Sequence, residues 1–413
     1  MITVKGKTNV YVFADEIDSA TYNQLIQMGN HPALDKYKAV MPDCHAGAAN
    51  AVIGFTMPLD GNDLKVIPQT IGVDIGCGVL GVNFGKIELP KFKELDDEIR
   101  KAIPFGDKFH QKPVFNPENF SFGADEFYRT CEKIGCKTDR AIGSVGSVGG
   151  GNHFIEIAKS QKTGEVWVNI HTGSRNFGAL ICDYWQKHAK KALQIKRDQE
   201  FQSKMEELKV NYSGEELGDK ISEFKRNFKL DVDVKGAEWL TGADARGYLD
   251  DMKKAQEYAE ENRMQIAKII ERILGVNMVE AIESVHNFID FYDEDYPMIR
   301  KGAIRAHYNS QVIIPISPSY GTIIGIGHGN PDWNYSAPHG AGRRMGRNEA
   351  KKKLDVDNFE KAMEGIFSTN VNKKTLDESP ECYKNPTKII EQMLETVIVK
   401  DTLKPIHCIK EKG

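Results

Sequence analysis

Five short stretches of this 413-residue chain carry residue types that do chemistry. The first is Pro42-Asp43-Cys44-His45-Ala46-Gly47, and the second is Gly72-Val73-Asp74-Ile75-Gly76-Cys77-Gly78. Asp74 and Cys77 stand three apart between glycines, where a carboxylate and a thiolate can converge on one cation. Taken alone, such a DxxC is a weak signal. The third stretch is Gly149-Gly150-Gly151-Asn152-His153-Phe154-Ile155-Glu156. Its glycines let backbone amides approach a phosphate, and three polar residues follow inside an apolar run. A Gly-rich turn with one hydrogen-bonded core histidine is the plainer alternative. In the fourth, His171 ends the strand-like EVWVNI and leads into Thr172-Gly173-Ser174-Arg175, with His286-Asn287 standing further on. Each of these histidines alone is more often a core residue than a ligand. The fifth is His339-Gly340-Ala341-Gly342-Arg343-Arg344-Met345-Gly346-Arg347, a histidine on a permissive loop followed by arginines suited to phosphate. Lys351 to Lys353 read as a solvated basic helix face.

Together, one carboxylate, one thiolate and three histidines make a two-metal set in which Cys77 could bridge. Mixed hard and soft donors exclude magnesium as the main ion and suit Mn²⁺, Fe²⁺, Co²⁺ or Zn²⁺. The chain has neither a GxxxxGK[ST] phosphate loop nor a KxDG nucleotidyl-transfer lysine, so a covalently held nucleotide would sit on another residue.

The elements that must position these residues are legible only coarsely. Short apolar runs broken by Gly, Pro and Asp (TNVYVFAD, AVIGFTMP, VLGVNFG) read as strands over residues 1–90, and the texture returns at 140–178 and 300–330. Between them, Leu249, Met252, Ala255, Ala259, Ile266, Ile269, Ile270 and Ile273 recur at helical spacing. This predicts a helical arm over 179–290, inserted in one α/β (α+β) domain spanning 1–413, with mixed sheets around the site. The chemical stretches lie at both ends of the chain, which favours one intertwined domain over two.

Hydrophobic residues make up 40% and charged residues 28%, as in ordinary globular proteins. A net charge of −4 gives no global footprint for nucleic acid, so any RNA would be held by a local patch. No signal peptide or membrane span is expected. Seven scattered cysteines suit a reducing cytosol, and a cytoplasmic monomer is expected.

DxGCG, GGGNHFIE, HTGSRxxG, HN and HGAGRxM[SG]R, in this order from about Pro42 to Lys410, resemble the RtcB family of RNA ligases. The resemblance implies joining of RNA 2′,3′-cyclic phosphate or 3′-phosphate ends to 5′-hydroxyl ends, with GTP and two Mn²⁺ ions, in RNA repair or tRNA splicing. It implies Asp74, Cys77, His153, His171 and His286 as metal ligands and His339 as the guanylylated nucleophile. It further implies nucleotide contacts from Asn152, His153, Phe154, Ile155, Glu156, His286, Asn287, Ser317, Pro318, Ser319, Tyr320, His339, Gly340, Ala341, Gly342 and Lys410. Glu156 would read the guanine edge. Arg175, Arg343 and Arg347 are expected to hold RNA phosphates.

The chain departs from the family pattern in three places. Ser317-Pro318-Ser319-Tyr320-Gly321 replaces the usual PGSMG, Gly346 replaces Ser in MSR, and Lys412-Gly413 competes with Lys410 for the C-terminal role. Two other readings are a metal-dependent cyclic phosphodiesterase without ligation and an inactive nucleotide-binding regulator. A plain hydrolase would not need His339.

Overall fold

A computed structural model describes residues 1–47, 51–228, 234, 236–292 and 296–412. Helices and strands intermix along the chain, and the strands form two large sheets. One has six strands, in the order Ile2–Val4, Val10–Val12, Lys38–His45, Ile53–Pro58, Met298–Lys301, Asn287–Asp290. Its Val10–Val12 and Lys38–His45 pair is parallel and its other pairs are antiparallel. The other has seven antiparallel strands, in the order Glu280–Val285, Gly78–Asn83, Val166–Thr172, Phe154–Ser160, Val397–Ile409, Gly321–Gly327, Gln311–Ser317. Residues from positions 78 and 409 therefore share one sheet, which brings the two ends of the chain together. This is the α/β class with mixed sheets that the sequence predicts.

The sheets are joined where the chemistry lies. Glu280–Val285 belongs to the seven-stranded sheet and Asn287–Asp290 to the six-stranded one, so His286 is the residue at which the chain changes sheets. Its backbone N–H donates to the Cys77 carbonyl at 2.9 Å, and its carbonyl accepts from Gly302 at 2.6 Å. Cys77 itself stands one residue before the strand Gly78–Asn83.

The span read as a helical arm holds the helices Arg175–Asn211, Gly214–Asn227 and Gly242–Leu274, and it ends in the two strands just named. The strands follow because Gly275, at φ 67°, takes the left-handed cap that stops the third helix, whose cap N–H bonds Glu271 O. The outer part of the first two helices is pinned by Phe201, Phe224 and Phe228, with ring centroids 4.9–5.3 Å apart. The third helix runs between two cores. Tyr248, Met252, Ala255 and Tyr258 pack in the core beside the six-stranded sheet, and Ile266, Ala267, Ile269 and Ile270 pack in a second core against the seven-stranded one. No described helix is long and apolar enough to cross a membrane.

Between those two apolar patches the same helix carries Asn262 and Arg263, both buried. Asn262 Oδ1 accepts from the N–H groups of Gly146 and Ser147 at 2.8 and 3.0 Å, and its Nδ2 donates to Gly173 O at 3.0 Å. Arg263 donates to Gly76 O at 2.7 Å, to Thr172 O at 2.8 Å and to Glu283 at 2.6 Å. One helix thus ties together three loops that carry candidate site residues. Arg263→Met should leave two buried carbonyls without a donor and lower stability by about 2–4 kcal/mol. Lys220→Ala, at an exposed i,i+3 pair, should change stability by under about 0.5 kcal/mol. Urea unfolding of the two variants checks this.

Candidate metal centre and nucleotide cavity

Five side chains converge at the junction of the sheets. Cys77 Sγ lies 3.5 Å from His153 Nε2 and 3.3 Å from His171 Nε2. His153 Nε2 is 2.8 Å from Asp74 Oδ2, and His171 Nε2 is 3.4 Å from His286 Nε2. The ligating atoms of Asp74, Cys77 and His153 all lie within 4.8 Å of one another, and so do those of Cys77, His171 and His286. Cys77 belongs to both groups. The structure therefore brings together all five residues expected as metal ligands, in two triads sharing the thiol.

The loops that deliver them are tightly specified. Asp74 presses on Gly173, where any Cβ would collide with its carboxylate. Gly76 N–H donates to Asn287 O at 2.8 Å, and Asn287 Nδ2 donates to Asp74 O at 3.2 Å. Asn287, expected at the nucleotide, thus braces the Asp74–Cys77 loop. Buried Lys301 donates to Ile71 O at 3.2 Å, beneath the same loop.

Burial dominates the electrostatics. It pushes the Cys77 thiol well above its ordinary value, with the Asp74 carboxylate adding to the effect. It holds His171 and His286 well below the usual imidazole range, and neighbouring histidines lower them further. Burial also works to raise the Asp74 carboxyl, but His153, a bond from Cys77 and the Arg175 charge bring it to about 2. His171 and His286 are therefore neutral with lone pairs available, and Asp74 is ionised. That donor set fits a divalent transition cation, whose charge would favour the thiolate. Among the described residues, the three Nδ1 atoms meet no hydrogen-bond partner.

Next to the triads opens a cavity of about 690 Å³, within the range that takes a nucleotide. His171 lines it, so metal centre and cavity share a wall. His339 lines it too, on the loop that follows the strand Ser336–Pro338, with its ring centroid 4.7 Å from that of His286. The His339 ring is held from behind: its Nδ1 donates to Asp43 Oδ2 at 2.7 Å, and its backbone N–H meets the same oxygen at 3.2 Å. An acidic acceptor at Nδ1 puts the proton there and leaves the lone pair on Nε2. Gly342, at φ 72°, lets this loop lie directly on the Asp43 carbonyl, where a Cβ would collide.

Of the expected nucleotide residues, Asn152, Phe154, Glu156, Ser317, Pro318, Gly340, Ala341, Gly342 and Lys410 also line the cavity, with His339. Ser319 and Tyr320 are partly buried outside the lining, and His153 and His286 belong to the triads. Strand alternation separates Ile155 from its neighbours: Phe154 and Glu156 face the cavity, while Ile155 is fully buried in the core on the opposite face. Glu156 Oε1 accepts from Asn169 at 2.8 Å and from Thr322 at 2.9 Å. Lys410 is buried, its Nζ paired with Glu378 Oε2 and 5.8 Å from the Phe154 ring centroid. Burial works against its charge, but Glu378 holds its pKa above the ordinary lysine value. Lys412 is exposed, and Gly413 lies outside the described residues.

Arg343 and Arg347 line the cavity, and Arg347 pairs with Asp377 and Glu378. Arg175 does not line it. Its guanidinium donates to Gly106 O at 2.7 Å and to Ser147 Oγ at 3.2 Å, under the Gly-rich loop. Lys353 pairs with Glu349 on an exposed helix face.

The matching family model, described as "tRNA-splicing ligase RtcB", covers residues 24–411. The chain belongs to the RtcB family. It is 28% identical to the RNA-splicing ligase RtcB of Escherichia coli K12 over 95% of each chain. It is 26% identical to the tRNA-splicing ligase RtcB of Aeropyrum pernix, over 92% of this chain and 90% of that one. The RNA-splicing ligase RtcB of Mycobacterium tuberculosis is 24% identical over 94% of this chain and its own full length.

Four supporting residues escaped the sequence reading. Asp43 stood in a quoted stretch but had no role there, because its partner lies 296 positions away. Asn262 and Arg263 are masked inside a helical pattern, and Glu378 inside a short helical turn.

Two outcomes follow from this geometry. Cys77→Ala, which removes the thiol shared by both triads, should abolish binding of divalent metal, while His286→Ala should reduce it by about half, as read by metal analysis after gel filtration. Burial raises the Glu156 carboxyl from 4.5 to about 7. The folded state then holds a proton between these values that the unfolded chain has released, so this group's contribution to stability falls as pH rises from about 4.5 to 7. Glu156→Gln should remove that fall, visible as a flatter pH profile of urea midpoints.

Proposed function

We propose that this chain is a GTP- and Mn²⁺-dependent RNA ligase that joins 3′-phosphate or 2′,3′-cyclic phosphate ends to 5′-hydroxyl ends. The observation that carries the reading is His339. It stands at the cavity wall outside both triads, its Nδ1 bound to a fully buried carboxylate and its ring against His286. Metal-ligating histidines also use carboxylate partners, so what supports the reading is the place of His339 outside both triads and on the cavity wall.

In this reading His339 Nε2 attacks the α-phosphorus of GTP. The P–N bond forms as the bond from that phosphorus to the bridging oxygen breaks, and pyrophosphate leaves. Asp43 keeps the Nδ1 proton and stabilises the positive charge that the ring acquires. An RNA 3′-phosphate oxygen then displaces the imidazole and takes GMP. Finally the 5′-hydroxyl oxygen of the second strand attacks the 3′-phosphorus and loses its proton to solvent, as the bond from that phosphorus to the bridging oxygen breaks and GMP departs. Asp74, Cys77, His153, His171 and His286 would hold the metal ions, which supply charge neutralisation at phosphoryl oxygens and water activation. Glu156 can accept from guanine N1–H and the 2-amino group together, and adenine offers no such pair. Lys410 can donate to the guanine carbonyl. Arg343 and Arg347, which line the cavity, would meet phosphates. Arg175 acts in this scheme by supporting the Gly-rich loop.

The experiment separates the steps. His339→Ala should lose acid-labile labelling by radiolabelled GTP and lose sealing of 3′-phosphate ends, yet still seal RNA whose 3′-phosphate already carries GMP. Normal labelling of the variant, or failure on the pre-activated strand with full metal occupancy, would contradict the assignment. A wild type that opened cyclic phosphates without ever being labelled would be a phosphodiesterase. Glu156→Gln should reduce the preference for GTP over ATP by about tenfold or more, the scale expected for losing a buried two-point contact.

A further inference from the structure

A stack of planar side chains stands on the surface at the far end of the short ladder that carries His339. The strand Ala303–Arg305 pairs with Ser336–Pro338, Ala303 opposite Pro338 and Arg305 opposite Ser336. His339 follows one end of this ladder, and Tyr335 precedes the other. The His307 ring lies 5.0 Å from the Tyr335 ring at an interplanar angle of 5°, and 4.0 Å from the Tyr292 ring at 26°. The Arg305 guanidinium stands 5.3 Å from the Tyr292 ring centroid. Tyr292 is 64% exposed and Tyr335 39% exposed. Exposed Lys253 sits nearby, 4.3 Å over the ring of Phe291.

The backbone under the stack is strained. Asn334 and Tyr335 both have φ 52°, a left-handed conformation that a tyrosine rarely adopts. Tyr335 is held there by its N–H to Asn330 O at 2.9 Å and its carbonyl to Ala306 N–H at 2.8 Å. Asn or Gly would relieve the strain. The aromatic ring is kept at a position where the backbone disfavours it, and what it provides is an exposed flat face in line with two others.

We propose that Arg305, Tyr292, His307 and Tyr335 form a nucleobase-stacking platform for a single-stranded RNA end, an inference that rests on the ligase reading above. Stacked aromatic rings and guanidinium planes hold unpaired bases whatever their sequence, and a cation at the stack meets the backbone. The four residue steps from Tyr335 to His339 span about 13 Å along the strand. That length corresponds to about four stacked nucleotides at ~3.4 Å each. The joining strand is buried, so an RNA gripped here would reach the cavity over the surface by at least that length.

The test is a binding titration with fluorescent single-stranded RNAs ending in a 3′-phosphate. One is about twelve nucleotides long, within the site sizes of stacking platforms, and one about three, too short to span the ladder. Tyr292→Ala removes an exposed ring, and Tyr335→Asn removes the other end while relieving its backbone. Cooperative thermal unfolding checks the fold of each. Each variant should bind the long strand about tenfold or more weaker than wild type and the short strand as wild type does. Tyr292→Trp should keep long-strand affinity. The proposal is overturned if Tyr292→Ala and Tyr335→Asn both bind the long strand as wild type does, or if wild type shows no preference for the longer strand. GTP labelling of wild type is read separately. Loss of long-strand affinity in the variants of a chain that GTP never labels would sink the ligase reading and leave the platform standing.

Discussion

A carboxylate, a thiol and three imidazoles share one buried junction, and the surrounding structure serves that crowding. Taken out of water, three of these groups resist charge: burial drives Cys77 up and drives His171 and His286 down. Such a cluster is costly unless a cation completes it. The loops that present it must therefore be held by something other than their own contacts. The helix Gly242–Leu274 does this, anchoring an apolar patch in each core and placing Asn262 and Arg263 on the loops between them. Asn287 and Lys301 brace the same loop from the six-stranded sheet.

The sheet junction also explains why cavity and cluster are neighbours. His286 changes sheets, and His339 ends a short ladder that packs beside it, so ring follows ring from His153 through His171 and His286 to His339. Along that row the environment changes sharply. Among the described residues the first three rings have no partner at Nδ1, whereas His339 has a buried carboxylate. Residues of one type are thereby divided between cation binding and, in the proposed mechanism, nucleophilic attack.

The chemistry was more legible in the sequence than the scaffold. Glycines beside Asp74, Cys77, His153 and His171 signal close approach, because polar residues in such settings are rarely filler, and the structure gathers all four with His286. The α/β class followed from apolar runs alternating with helical spacing. Long-range pairing was not legible. Asp43 reaches His339, and Glu378 reaches Lys410, across separations that no local pattern encodes. Ile155 illustrates a different limit: a motif quoted as a block ignores the two-residue period of the strand it lies on, which sends Ile155 to the core. Arg175 reads as a phosphate contact from its turn-like setting, yet its guanidinium is committed to Gly106 O. The helix periodicity at 242–274 was visible, but a pattern of apolar positions cannot distinguish a helix lying on the surface from one running between two cores.

The central claim is that a two-metal cluster sharing Cys77 works beside a nucleophilic His339. The most direct measurement is diffraction at the manganese edge from crystals soaked in Mn²⁺ and GTP. The account predicts two anomalous peaks, both within bonding distance of Cys77 Sγ, and continuous density from His339 Nε2 to a nucleotide phosphorus. A single peak away from Cys77, or a nucleotide bonded to Lys410 or to no residue at all, would contradict it.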